Sequence, residues 1–512
     1  MEKRKYRSKL RQLLGRRLLV VLLILFQIVL LAVMLFRSYQ LYWLAGLLTV
    51  LSVVTAFHLL TRSDKSAFKL SLVFLILLFP VFGGAFYWVF HFQSGSYGFR
   101  RGLARLFKKQ KEGYAPSSAA LERAKKEMPK DARLLSYLQS TASFPVFQNT
   151  QTRYFPSGKQ MLSTMLKDLE AAKRYIFLEY FIIEEGVMWD SILEILQRKA
   201  KEGLDVRVIY DDFGSLLTLP PSYEDTLRSM GIRCVAFNRF HPFLTTVQNN
   251  RDHRKITVID GKIAYTGGIN LADEYIDEKI RFGKWKDNSI RLCGDAASAF
   301  TVMFLQMWST LTRTEEDPSH YRTAESFCAP SDGWVQPYTD NPMDEIPVGE
   351  QVYLHAINRT QSYLYITTPY LMVGDELLSA LKYCAQSGID VRIITPGKPD
   401  KPLVHFTTRS YYRELIRAGV KIYEYADGFI HAKTFLSDGD LAIVGTVNMD
   451  FRSLYLHFEC GACLYRTESV SAIKEDFLDT LTHCRPITEK DCRPNPIVKL
   501  LQDICRIFAP LM

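Results

Sequence analysis

The sequence predicts an α/β protein: two α/β lobes forming one composite site, preceded by an N-terminal transmembrane helical anchor. Three observations predict it. Strand-like apolar runs alternate with helical patterns, as βαβ units do. That alternation occurs twice, with the same short strings in the same order. Before it stand three long apolar stretches. At 512 residues, 48% hydrophobic and 23% charged, the chain has ample core and does not belong to the disordered class. Its nine cysteines, without dense spacing, exclude a small disulfide scaffold.

The anchor is expected over residues 1–95, with apolar spans at 18–36, 41–60 and 70–92. About 20 residues at roughly 1.5 Å each match a bilayer core of about 30 Å. A cleaved signal peptide fits less well, because the first run is too long, lacks a small-residue cleavage site, and is followed directly by a second. The expectation is a multi-pass, membrane-integrated protein of the cell membrane. Residues 1–112 carry 18 Lys/Arg and 3 Asp/Glu, so the chain's net charge of +10 leaves −5 for residues 113–512. The basic excess therefore suits anionic lipid, and no nucleic-acid partner is expected. The positive-inside rule wants both the N-terminal cluster and the cluster at 100–111 in the cytoplasm, and three spans cannot satisfy both.

Residues 96–145 form a basic linker and helix, 146–328 the first lobe and 329–484 the second. The run Tyr175–Ile183 recurs as Tyr363–Leu371, Gly203–Ile209 as Gly388–Ile394, and Gly231–Val235 as Gly419–Tyr423. Such units imply a mostly parallel, buried sheet. The loop His241–Asn250, with Phe243 and Leu244, is the main insertion of the first copy. Residues 485–512 form an amphipathic tail expected to pack on the domain. Cys460 and Cys463 form a lone C-x-x-C whose members point to opposite faces of a strand and cannot chelate one ion.

Each lobe carries one constellation. His253, Lys255, Asp260, Gly267, Gly268 and Asn270 stand in the first, and His431, Lys433, Asp438, Gly445, Thr446 and Asn448 at the same offsets in the second. Two copies at matching places make a strong signal. Asp260-Gly261 is a favoured hairpin turn, and centring it there places residue 253 opposite 268. His253 and Lys255 share a face because strand side chains alternate. Gly268 then leaves room for a ligand, and Asn270, Thr446 and Asn448 border the same place as substrate-binding residues. Paired imidazoles, ammonium groups and carboxamides suit a phosphodiester: one histidine attacks phosphorus, the other protonates the leaving alkoxide, and the lysines and asparagines hold the oxygens. This chemistry calls for no metal and no cofactor. Asp260 and Asp438 serve either that chemistry or the turn, since Asp before Gly is what a turn wants anyway.

These residues resemble the paired HKD motifs of the phospholipase D superfamily over about residues 146–484, and within it the bacterial cardiolipin synthases. The strings Asp252–Asp260, Tyr265–Tyr275, Trp285–Asp287, Thr368–Tyr370 and Gly445–Ser453 carry the resemblance. It implies two phospholipase D-like lobes and a phosphatidyl-histidine, by family habit on His253, with His431 protonating the departing glycerol. It further implies phosphatidylglycerol and other anionic phospholipids as partners, cardiolipin as product, and a histidine-orienting carboxylate downstream of each motif, Asp287 and Glu459. A phospholipase D or a phosphatidyl transferase with another acceptor is the alternative. A decayed, lipid-binding relative would have lost a motif histidine or lysine, and none is lost. Two motifs in one chain make an oligomer unnecessary for the site.

Overall fold

The computed structural model describes residues 42–63, 65–80, 83–84, 87–88, 118–239, 249–321, 333–344 and 346–512. The first apolar stretch, most of the basic linker and residues 241–248 of the insertion loop lie outside them. The chain forms two compact units. One holds residues 1–100 with 239–249 and Leu511, and the other holds nearly all the rest.

In the smaller unit, helices span Tyr42–Thr61 and Ser66–Leu78. Among the described residues no helix is long and apolar enough to cross a membrane. The expectation of a multi-pass, membrane-integrated protein of the cell membrane is corrected on that finding. The third stretch, expected to span from 70 to 92, leaves its helix at Leu78. Pro80 follows, and a proline disfavours helix in the residue before it. Those 13 residues reach about 20 Å, short of a bilayer core of about 30 Å. The longer helix mixes polar residues into its run: Ser52 accepts from the Gly84 amide at 2.9 Å and Thr55 from the Trp88 indole at 2.9 Å.

The larger unit contains both lobes. The first sheet comprises β1 (Thr150–Phe155), β2 (Tyr175–Tyr180), β3 (Asp205–Asp211), β4 (Arg233–Phe237), β6 (Lys255–Ile259), β7 (Ile263–Gly267) and β9 (Ser289–Gly294), in the order β1-β9-β7-β6-β2-β3-β4. Short strands β5 (Arg251–Asp252) and β8 (Lys284–Lys286) leave it. The second runs β10-β19-β17-β16-β11-β13-β14-β20. Its members are β10 (Trp334–Asp340), β11 (Tyr363–Thr367), β13 (Asp390–Pro396), β14 (Lys421–Tyr425), β16 (Thr434–Ser437), β17 (Leu441–Gly445), β19 (His457–Tyr465) and β20 (Cys484–Ile487). β12 (Leu371–Met372), β15 (Gly428–Ile430) and β18 (Met449–Asp450) lie off that path.

Each sheet is mixed rather than mostly parallel. β2, β3 and β4 pair in parallel, as do β11, β13 and β14, but the motif hairpins and their neighbours pair antiparallel. A buried antiparallel hairpin shows the same continuous apolar runs as a parallel strand, so composition did not separate them. The hairpin register also departs from expectation. Ile259 faces Ile263 and Ser437 faces Leu441, so each turn holds three residues rather than two. Asp260 and Gly261 both adopt left-handed backbone (φ +54° and +67°), as do Asp438 and Gly439 (+53° and +74°).

Helices Gly158–Glu170 and Val187–Lys201 pack Met161, Met165, Ile192 and Leu196 against Ile176, Leu178 and Val208 of the first sheet. Helix Ala297–Thr312 is buried along most of its length and touches strands of both sheets. The tail divides: β20 extends the second sheet, whereas helix Pro496–Phe508 rests on helix Pro402–Arg417. It does so with a charged side, Arg506 reaching Tyr411 and Glu414, and leaves Ile497 and Leu500 exposed. Cys460 and Cys463 are buried free thiols on β19.

Two exchanges tie the lobes. β5 of the first lobe pairs in parallel with β19 of the second, and β15 of the second with β8 of the first.

Candidate active site

Both motif histidines follow directly on those exchanged strands. The His253 amide donates to the Phe458 carbonyl at 3.0 Å, and the His431 amide to the Lys286 carbonyl at 2.7 Å. Each main chain is thus fixed by the other lobe, and the same exchange delivers a carboxylate to each ring. His253 Nδ1 lies 2.8 Å from Glu459 of the second lobe, and His431 Nδ1 lies 2.8 Å from Asp287 of the first. All four side chains are buried. With Nδ1 held by a carboxylate, Nε2 is the nitrogen that faces a reacting phosphorus or oxygen. Lys255 and Lys433 each donate to the carbonyl of their own motif histidine.

The electrostatics follow from burial. His253 is held well below the usual imidazole range by desolvation and then by Lys255, His457, Lys433 and His431. His431 is pushed down to about 4 by burial and Lys433, against the pull of Asp287. Burial lowers Lys255 to about 8 and Lys433 to about 7. Desolvation works against the charge on Asp287, but His431 and Lys433 outweigh it and hold the carboxyl below its ordinary value. Burial pushes Glu459 up to about 8, opposed by Lys255 and by two hydroxyls, Thr446 and Ser453, which donate to it. When Glu459 is ionised it accepts from both hydroxyls, and His253 Nδ1 is then the donor across that contact.

The structure separates the expected site residues by role. The Asp260 carboxylate accepts from the amides of Lys173, Arg174 and Tyr175 at 2.7–2.9 Å, and Asp438 accepts from Gln361, Ser362 and Tyr363 at 2.8–3.2 Å. These acids lock their hairpin turns to the loops before β2 and β11, the role the turn reading gives them. Gly268 makes room for a neighbour rather than a ligand: a Cβ there would stand 2.0 Å from Asp287. Thr446, expected to touch substrate, donates instead to Glu459. Asn270 accepts from the Ile182 amide at 3.1 Å and donates through Nδ2 to the Tyr275 hydroxyl at 2.6 Å. Asn448 keeps a buried carbonyl oxygen with no hydrogen-bond partner among the described residues.

Ser453 and His457 were not anticipated. His457 stands two residues before Glu459 on β19, so alternation puts both on one face, and that was the readable signal. His253, His457 and Glu459 hold ligating atoms within 4.8 Å of one another. Arg452, Lys255, Lys401 and Arg251 surround His457, however, and that field opposes a divalent cation.

Two predictions come from this geometry. Asp260→Ala removes three amide partners and should cost about 2–4 kcal/mol in chemical denaturation, with Asp260→Asn less affected and still active. Asp287→Asn should keep stability within about 1 kcal/mol yet lower kcat by about 10²–10⁴-fold, because an amide no longer fixes the tautomer of His431. Steady-state kinetics beside a denaturation curve measures both, and an inactive but stable Asp260→Asn would return that acid to the chemistry.

Comparison with known proteins places this arrangement in a family. The family described as "Cardiolipin synthase, PLD-like domain" matches residues 165–308 and 353–481, one segment in each lobe. A cardiolipin synthase of Geobacillus sp. is 34% identical over 487 residues, covering 92% of this chain and 95% of that protein. One from Alkalihalophilus pseudofirmus is 35% identical over 499 residues, covering 93% and 96%. A Streptococcus mutans protein named only as uncharacterized is 43% identical over 443 residues, covering 86% and 95%. In fold, the lobes are similar to the crystal structure of phosphatidylserine synthase from Haemophilus influenzae, with a TM-score of 0.57 at 17% identity over 75% of this chain and 98% of that one. With two matched lobes, and relatives aligned along almost their whole length, the chain belongs to the cardiolipin synthase family of PLD-like proteins.

Proposed function

We propose that this enzyme is a phosphatidyl transferase that converts two phosphatidylglycerol molecules to cardiolipin and glycerol through a phosphatidyl-histidine intermediate. The observation that carries the reading is the pair of buried histidines, each held through Nδ1 by a carboxylate of the opposite lobe, with two lysines beside them. Supporting it, curated relatives aligned over more than nine-tenths of the chain are named cardiolipin synthases.

In this reading His253 Nε2 attacks the phosphorus of the first phosphatidylglycerol. A P–N bond forms, the P–O bond to the glycerol headgroup breaks, and His431 gives that oxygen its proton. Burial and the neighbouring cations disfavour the charged form of both rings, but an anionic phosphodiester offsets the lysines and favours the imidazolium of His431, which Asp287 also supports. Lys255, Lys433 and the Asn448 amide stabilise charge on the non-bridging oxygens. In the second half a hydroxyl of another phosphatidylglycerol gives its proton to His431 and attacks phosphorus. The P–N bond breaks, cardiolipin leaves and His253 is restored.

Labelled phosphatidylglycerol incubated with the full chain in detergent should give cardiolipin and free glycerol, and His253→Ala and His431→Ala should each lower turnover by at least about 10³-fold. Phosphatidic acid as the sole lipid product would make water the acceptor and overturn the transferase reading. The pH profile tests the lysines. Their depressed values mean that the free enzyme loses positive charge as pH rises through 7–8, so kcat/KM should fall there. A bound phosphodiester keeps them charged, so kcat should hold to higher pH. A kcat/KM that stays flat to pH 9 or so would contradict the role of the lysines in capturing the free phosphodiester.

A further inference from the structure

Close to the reaction centre, the mechanism above leaves His457 idle, a side chain only 11% open to solvent. Its ring centroid lies 5.5 Å from that of His253, and Nδ1 stands 3.8 Å from Glu459, beyond hydrogen-bonding distance. Both ring nitrogens are buried and make no hydrogen bond among the described residues. Burying two unmet polar atoms is costly unless a ligand meets them.

The surroundings say what kind of ligand. β5 pairs with β19 so that Arg251 stands in register with His457. Arg452, on the short helix Phe451–Tyr455 that leads into β19, and Lys401 complete the ring of cations, and burial with these charges keeps His457 neutral. Asp450 lies beside Arg452 and Lys401, and Asp211 beside Arg251, so neither end of the cluster is purely basic. Arg452 bonds through Nε to the Met512 carbonyl, and Arg251 through Nη1 to the Asn238 carbonyl at 2.8 Å, which fixes both side chains in place. Lys401 is the exposed member, with 62% of its side chain open to solvent. A neutral imidazole with an N–H to offer, ringed by cations and adjoining the nucleophile, fits an anion.

We propose that His457, Arg452, Arg251 and Lys401 form an acceptor subsite that binds the phosphodiester of the second phospholipid while its headgroup hydroxyl attacks the phosphatidyl-histidine. The inference rests on the function proposed above and adds its acceptor selectivity. The donor phosphate occupies the centre between His253 and His431. An acceptor phosphatidylglycerol carries its own anionic phosphate only three carbons from the attacking hydroxyl, so a second anion site must adjoin the first. Water or a neutral alcohol gains nothing from it.

The test is a competition in one tube. The full chain in detergent receives phosphatidylglycerol labelled in its phosphatidyl group, unlabelled phosphatidylglycerol and ethanol, and the ratio of labelled cardiolipin to phosphatidylethanol is read. His457→Phe and Arg452→Gln should each lower that ratio by about tenfold or more, since each removes a charge-assisted or buried hydrogen bond to the acceptor alone. Arg452→Lys, which keeps the charge, should recover most of the ratio. An unchanged ratio in folded variants overturns the subsite, as does an equal fall of both products, which would assign these residues to the shared chemical step. An unsubstituted enzyme that makes phosphatidylethanol but no cardiolipin overturns the parent reading, and this is seen before any substitution is introduced.

Discussion

The structure turns on a crossed pairing: each motif histidine is completed by the lobe that does not carry its motif. Glu459 reaches His253 and Asp287 reaches His431, and the backbone exchanges β5–β19 and β15–β8 make both contacts possible. Neither lobe holds a working imidazole alone. The lobes are therefore committed to one relative position, and small shifts between them would loosen both histidines at once. A carboxylate bonded to Nδ1 fixes ring orientation as well as tautomer, so this constraint sets where both Nε2 atoms point.

Burial supplies the remaining chemistry. Two histidines, two lysines and two carboxylates share a volume that excludes water, where every interaction between them is stronger than it would be at the surface. Beneath the first motif, Arg254 is fully buried against Glu179 and Asp252. That cation stands between His253 and Lys255, in the two residues that join β5 to β6. Removing one member of such a set would leave a buried charge unpaired, which costs far more than the pair itself contributes. The layer under the site is thus rigid for an electrostatic reason and not only through packing.

Much of this was legible in the chain. The repeated strings gave the two lobes, and equal offsets from His253 and His431 gave the motif. The downstream acids Asp287 and Glu459 stood where an orienting carboxylate was expected. What could not be read was which acid serves which histidine, because 144 and 206 residues separate the bonded partners and no local pattern encodes a strand exchange. The turn acids misled for a related reason. Asp260 and Asp438 recur with the catalytic residues since the hairpin recurs, yet their carboxylates face the loops before β2 and β11. In the apolar stretch at 70–92, composition alone does not say where a helix stops; the helix that enters it ends at Leu78, two residues before Pro80.

The repeat also shows how a symmetric motif performs two unlike jobs. At equivalent places the first lobe has Gly268 and the second Thr446. The glycine lets Asp287 approach with no added donor from that position, and Asp287 is held ionised beside His431 and Lys433. The threonine places a hydroxyl on Glu459, and Ser453 adds another; both bonds favour the charged form, but burial outweighs them and the carboxyl rises. An ionised neighbour favours an imidazolium, which suits His431 as the proton donor. A neighbour that is harder to ionise, together with Lys255 and His457, disfavours it, which suits His253 as the nucleophile. Exchanging these residues, with threonine at 268 and glycine at 446, could not simply swap the roles, because a side chain at 268 collides with Asp287.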